Sequence, residues 1–131
     1  MNFQTFFILY AISVPIFLII DLLWLGVIAS NFYRERMGDL LQINWTASII
    51  FYLVFLVGLI FFAVYPQLDK GWQMVMLYGG LFGFFTYATY DLTNLATLKD
   101  WPLDLVIVDI IWGTVLGASV AVITYLIYTA F

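Results

Sequence analysis

Asp21, Asp91 and Asp109 each stand inside a run of apolar residues, where a carboxylate is costly unless it is neutralised, paired or hydrated. A carboxyl group in that setting can act as general acid or base, couple to a proton, or hold a cation. Tyr87 and Asn94 lie a helical turn before and after Asp91, and Tyr90 adjoins it, so hydrogen-bonding groups accompany that acid. Trp24 follows Asp21 by three residues and Trp112 follows Asp109 by three, which sets an indole on the same helix face as each acid. An aromatic wall beside acids favours a cation or a planar ligand. The chain has no Cys and no His, so thiol nucleophiles, thiolate metal sites and histidine-ligated haem are excluded. Oxygen-only ligation would suit Mg²⁺, Ca²⁺ or Mn²⁺ rather than Zn²⁺, but no metal or cofactor is expected. The same acids also suit a purely structural role, hydrogen-bonded to Tyr87, Tyr90, Asn94 and neighbouring threonines to lock helices together.

The elements that must position these groups follow from composition. Of 131 residues, 66% are hydrophobic and only 9% charged, against about a quarter charged in a soluble domain. We expect an all-α polytopic membrane protein, one domain with four transmembrane helices in one bundle. The spans run from about Phe3 to Ala29, Trp45 to Tyr65, Trp72 to Leu98, and Pro102 to Tyr128. The first apolar run lacks a basic leader and is too long for a signal peptide, so it reads as a retained span. Pro15 predicts a kink there, and Tyr10, Ser13, Phe17, Asp21 and Trp24 share its inward face. Ser30 to Leu41 reads as a short polar connection, a solvated loop of mixed charge or else an interfacial helix with aromatic residues at headgroup level, where Arg34 or Arg36 could instead grip a lipid phosphate. The second span carries almost no polar residue and reads as a scaffold facing lipid. Gly79 and Gly83 on the third span, and Gly113, Gly117 and Ala121 on the fourth, permit close helix approach. Tyr87, Asp91 and Asn94 continue a stripe neighbouring those third-span glycines. Trp45, Trp72 and Trp101 read as interfacial anchors, and Pro102 as the first turn of the last helix, where Asp104 meets its dipole.

Counted from the span ends, Asp21, Asp91 and Asp109 each sit about 10–12 Å in from one membrane face. Three helices thus deliver carboxylates to one level, with Trp24 and Trp112 expected on opposite sides of the acidic layer. Carboxylates gathered in low dielectric do not all ionise, so such a layer should hold at least one proton. Arg34, Arg36 and Lys99 fall on one side, against Lys70 and the terminal amine on the other. The positive-inside rule then puts both termini on the non-cytoplasmic side. The formal charge of −4 is a poor guide to partners. No basic cluster suggests nucleic acid, so the expected partner is the lipid bilayer.

At Asp21-Leu22-Leu23-Trp24-Leu25-Gly26, Tyr90-Asp91-Leu92-Thr93-Asn94-Leu95-Ala96-Thr97-Leu98-Lys99-Asp100-Trp101-Pro102 and Asp109-Ile110-Ile111-Trp112-Gly113, the chain resembles a family of small four-span bacterial membrane proteins. That family is known as domain of unknown function 2177. The resemblance covers essentially the whole chain and implies a bacterial inner-membrane location, without an activity to transfer.

Three functions remain open. The first is a pocket that binds a lipid-like or small amphipathic ligand, or acts on it by acid–base chemistry. There Asp91 would serve as acid or base, and Asp21 and Asp109 as its electrostatic partners. Tyr87, Tyr90 and Asn94 would donate hydrogen bonds, with Trp24 and Trp112 as walls. The second is a proton-coupled transporter of a cationic or polar solute. A four-span protomer is thin for that and would need to form a homodimer, through Gly113 and Gly117. The third is a partner subunit of a membrane complex, with the acids turned outward from the bundle.

Overall fold

Asn2 opens the first helix by accepting hydrogen bonds from the backbone of Gln4 and Thr5 at 3.0 and 3.3 Å, the arrangement that satisfies otherwise orphaned donors at a helix start. Residues 2–131 are described by the computed structural model, and among them no strand forms. Helix α1, Phe3–Leu23, runs through Pro15 and widens into broader turns over Trp24–Ile28. A short helix α2, Ser30–Met37, follows and stops at Gly38, whose φ of 53° ends the regular backbone. Helix α3, Trp45–Gly58, is capped by Asn44 and continues through wide turns at Leu59–Val64 and a tight turn at Tyr65–Gln67. Helices α4, Trp72–Thr97, and α5, Leu103–Ala130, complete the chain. Pro102 is the cap of α5 rather than a residue of its first turn.

Three helical runs are long and apolar enough to cross a membrane: Phe3–Ile28, Trp45–Gln67 and Leu103–Ala130. Helix α4 matches them in length, but its glycines, tyrosines, threonines and Asp91 hold its hydropathy below theirs.

In lipid the hydrophobic effect does not drive helices together, so close packing and polar contacts must. Helices α4 and α5 meet at backbone distance. A Cβ on Gly79 would stand 2.5 Å from the Ala121 methyl and 2.7 Å from the Gly117 carbonyl oxygen. One on Gly83 would run into the Gly113 carbonyl, and one on Gly113 into the Tyr87 ring. Gly113 and Gly117 therefore pack within the chain, against Tyr87, Gly79 and Gly83 of α4.

Below this seam Leu9, Phe17, Phe55, Leu59, Ile60, Val75, Leu116 and Val120 form a closed apolar core. Helix α3 joins it from Tyr52 onward. Its first turns stand off, leaving Trp45, Ile49 and Ile50 exposed. That divergence opens a gap at one end of the molecule, roofed by α2 and the connection after it. Trp45 and Trp72 are exposed, but Trp101 is buried against Leu105 and Val106, with Phe32, Tyr33 and Met37 of α2 packed on them. Trp101 is thus a packing residue, because α2 folds over it.

Candidate functional site

The gap is a cavity of about 660 Å³, partly open to the outside. Its wall includes Asp21 and Leu25 from α1, Tyr33, Arg34 and Met37 from α2, Phe51 and Tyr52 from α3, Tyr87, Tyr90 and Asp91 from α4, and Asp109 and Trp112 from α5. Asn44, Ala47 and Ser48 line it where α3 begins. The acids face inward and are buried, with exposures of 4% for Asp21, 1% for Asp91 and 9% for Asp109.

They do not form one cluster. Asp91 has no donor near either oxygen, and the polar group beside it is the Asp109 carboxyl. Two carboxyl groups side by side are joined only by a shared proton, or by a donor or cation from outside. Asp109 also accepts from the Tyr33 hydroxyl at 2.7 Å, and that hydroxyl accepts from Trp24 Nε1 at 3.2 Å. Asp21 stands apart, receiving Trp112 Nε1 at 3.4 Å, with the Tyr52 side chain beside it. Among the described residues no three metal-ligating side chains converge.

Trp24 and Trp112 stack on each other, with ring centroids 4.3 Å apart and planes within 7°. The expectation that they flank the acidic layer from opposite sides is therefore corrected. The antiparallel run of α1 and α5 interleaves the two Asp–Trp steps. Trp112 of α5 serves Asp21 of α1, and Trp24 of α1 reaches Asp109 of α5 through Tyr33.

Of the side chains anticipated around the acids, Tyr87, Tyr90 and Trp112 lie on the cavity wall, while Trp24 and Asn94 do not. Trp24 backs Trp112, and Asn94 sits next to Tyr90, which meets Trp101 edge-on at 6.3 Å. The threonine hydroxyls of Thr86, Thr89 and Thr97 bond back to the carbonyls of Phe82, Phe85 and Thr93 on their own helix, so they do not lock the acids.

Tyr33, Tyr52 and Trp101 were not anticipated as site residues. Tyr52 carried a signal: it shares a helical face with Phe55, Leu56, Leu59 and Ile60, all of them buried. For Tyr33 the sequence carries none, since its partner is 76 positions away. Burial, and the Asp109 charge beside it, push the Tyr33 phenol well above the ordinary tyrosine range, so it remains a donor.

The two arginines of α2 differ. Arg36 binds Asp104 at 2.9 Å and Glu35 at 3.0 Å, and lies 4.2 Å over the Phe32 ring. Arg34 makes no ion pair among the described residues and contributes to the cavity wall.

All-helical backbone and three helices of this length and apolarity define an integral membrane protein. Residues 6–126 match the family described as predicted membrane protein, DUF2177, and the chain belongs to that family. No curated protein and no solved structure matches it.

Proposed function

We propose that this membrane protein binds a lipid-like or small amphipathic ligand in the acidic, aromatic-walled cavity and presents it to the Asp91–Asp109 pair for acid–base chemistry. One observation carries the reading: an open cavity of about 660 Å³ penetrates between apolar helices and ends on buried carboxylates. That volume suits a small amphiphile's head and upper chain. Asp91 takes the role of acid or base, Asp109 shares its proton, and Asp21, in the same wall, adds negative potential. Tyr87, Tyr90 and Trp112 shape the wall, Trp24 holds Trp112, and Asn94 steadies Tyr90.

The wall residues all come from one end of the molecule, and the closed core fills the other. A cavity confined to one end favours a binder or enzyme over a transporter. The inward-facing acids likewise disfavour a partner subunit that docks through them.

In this reading α4 is a fourth span in one bundle, because it packs along α5, which is itself long and apolar enough to cross. Both termini then lie outside the cytoplasmic face of a bacterial inner membrane, with the cavity near the cytoplasmic leaflet. The chain lacks cysteine, so Lys70→Cys and Lys99→Cys variants report topology directly. Lys70→Cys should be labelled from the outer side and Lys99→Cys only after permeabilisation; labelling of both from one side refutes the fourth span. For the cavity, Ala47→Trp fills the mouth and should abolish capture of short-chain lipid by the purified chain. Unchanged capture would remove the cavity as the site.

A further inference from the structure

We infer that the cavity selects its amphiphile by a protonated primary amine received between Asp91 and Asp109, with a phosphate one link outward held by Arg34. This rests on the amphiphile-binding reading above and adds the head-group chemistry.

Asp91 is 1% exposed and lines the cavity, yet neither of its oxygens meets a donor. Its neighbour Asp109 is another acceptor, already engaged by Tyr33 at 2.7 Å. What the pair lacks is N–H donors and positive charge, and among the described residues none brings them to it. Arg36 is held by Asp104 and Glu35, Lys70 stands in the turn between α3 and α4 at the far end, and Lys99 lies outside the cavity wall. A buried, unpaired carboxylate is strongly unfavourable, so a guest that completes it gains where a neutral guest does not.

A primary ammonium supplies three donors and a unit charge. A quaternary ammonium has the charge without the donors, and a hydroxyl has one donor without the charge. Tyr87 and Trp112 in the same wall put aromatic rings near a bound cation, an environment that favours it. A bare divalent ion fits less well, because no three ligating side chains converge among the described residues. At the rim Arg34 is exposed, without an ion pair, and part of the wall. The cavity is therefore bipolar, acidic at depth and basic at the mouth, and it matches a head group with the opposite order.

The test adds dioctanoyl phosphatidylethanolamine, phosphatidylcholine and phosphatidylglycerol, which share chains and phosphate, to the full chain in nonionic micelles. Bound lipid is read by native mass spectrometry. The ethanolamine lipid should bind at least about tenfold more tightly than the other two, the scale of a hydrogen bond to a charged group. Asp91→Asn should erase that preference, whereas Asp69→Asn, the same charge change in the far turn, should keep it. Arg34→Gln should weaken all three lipids alike. Equal binding of the three lipids, or a preference that survives Asp91→Asn, overturns the amine assignment and leaves amphiphile binding standing. No effect of Arg34→Gln overturns the phosphate contact, and binding of none of the lipids overturns both readings.

Discussion

Replacing Tyr33 by Phe removes one oxygen and leaves the ring, so it isolates the hydroxyl that ties α2 to the interior. That hydroxyl donates to Asp109 at 2.7 Å and accepts from Trp24 Nε1 at 3.2 Å. Its loss strips a buried carboxylate of the Tyr33 donor and leaves the Trp24 indole N–H without an acceptor. Hydrogen bonds within membrane proteins contribute little on average, about 0.6 kcal/mol, whereas bonds to charged groups contribute more. A short bond to a carboxylate, with a second bond lost alongside, should cost about 1–2 kcal/mol. That is roughly a 5–30-fold change in the folded-to-unfolded ratio. Equilibrium unfolding of the full chain in mixed micelles, followed by tryptophan fluorescence, measures it. Asp109→Asn supplies the second edge of a double-mutant cycle, and the two changes should be non-additive by more than about 0.5 kcal/mol. Tyr33→Phe within about 0.3 kcal/mol of the parent, with additive behaviour, would refute the bridge.

Three further outcomes are expected. Gly83→Ala drives a methyl into the Gly113 carbonyl and should destabilise by about 1–3 kcal/mol or more, whereas Gly26→Ala, with nothing within 4 Å of its new methyl, should stay within about 0.5 kcal/mol in the same unfolding assay. The Tyr33 phenol is raised, so the neutral form is favoured in the folded state and its contribution is complete below the unfolded tyrosine value, about 10. It is lost only as pH climbs through the higher folded value, so absorbance titration should find one fewer late-titrating phenol in Tyr33→Phe. Finally, the indole stack at 4.3 Å should give an exciton feature in the circular dichroism spectrum; it should vanish equally in Trp24→Leu and Trp112→Leu, and survival in either would deny the stack.

The apolar runs made the helices readable, whereas the capping asparagines Asn2 and Asn44 emerge only from the structure. The inward face of α1 was also legible, since Ser13, Phe17 and Asp21 at helical spacing are all buried. What spacing could not yield was the partnership across helices. Depth counting treats each span as a straight rod ending at the same plane, so it set the three acids at one level. The interleaving of α1 against α5 gives Asp21 the Trp112 indole and leaves Asp91 beside Asp109, partnerships that spacing along a single helix does not carry. Tyr33 and Trp101 were hidden for a related reason: a polar, charged connection reads as solvated, and only the fold of α2 back over α5 turns those side chains inward.

One stripe accounts for both the packing and the chemistry. Gly79, Gly83, Tyr87 and Asp91 recur every four residues on α4, and Asp109, Gly113, Gly117 and Ala121 do so on α5. Run antiparallel, they pair in order: Gly79 with Ala121 and Gly117, Gly83 with Gly113 and Gly117, Tyr87 with Gly113, and Asp91 with Asp109. Glycine contacts hold the two backbones together for half the seam, and the same register carries two like-charged side chains into contact at its end. Carboxylates would not choose that proximity in a low-dielectric interior. The glycine packing therefore offsets the cost of the acid pair, and the glycines act as positioning residues for it. A methyl at Gly83 should accordingly do more than destabilise: by prising the seam open it should reduce amine-lipid preference in the protein that remains folded. Preserved preference in folded Gly83→Ala would show that Asp91 and Asp109 are held together by something other than this stripe.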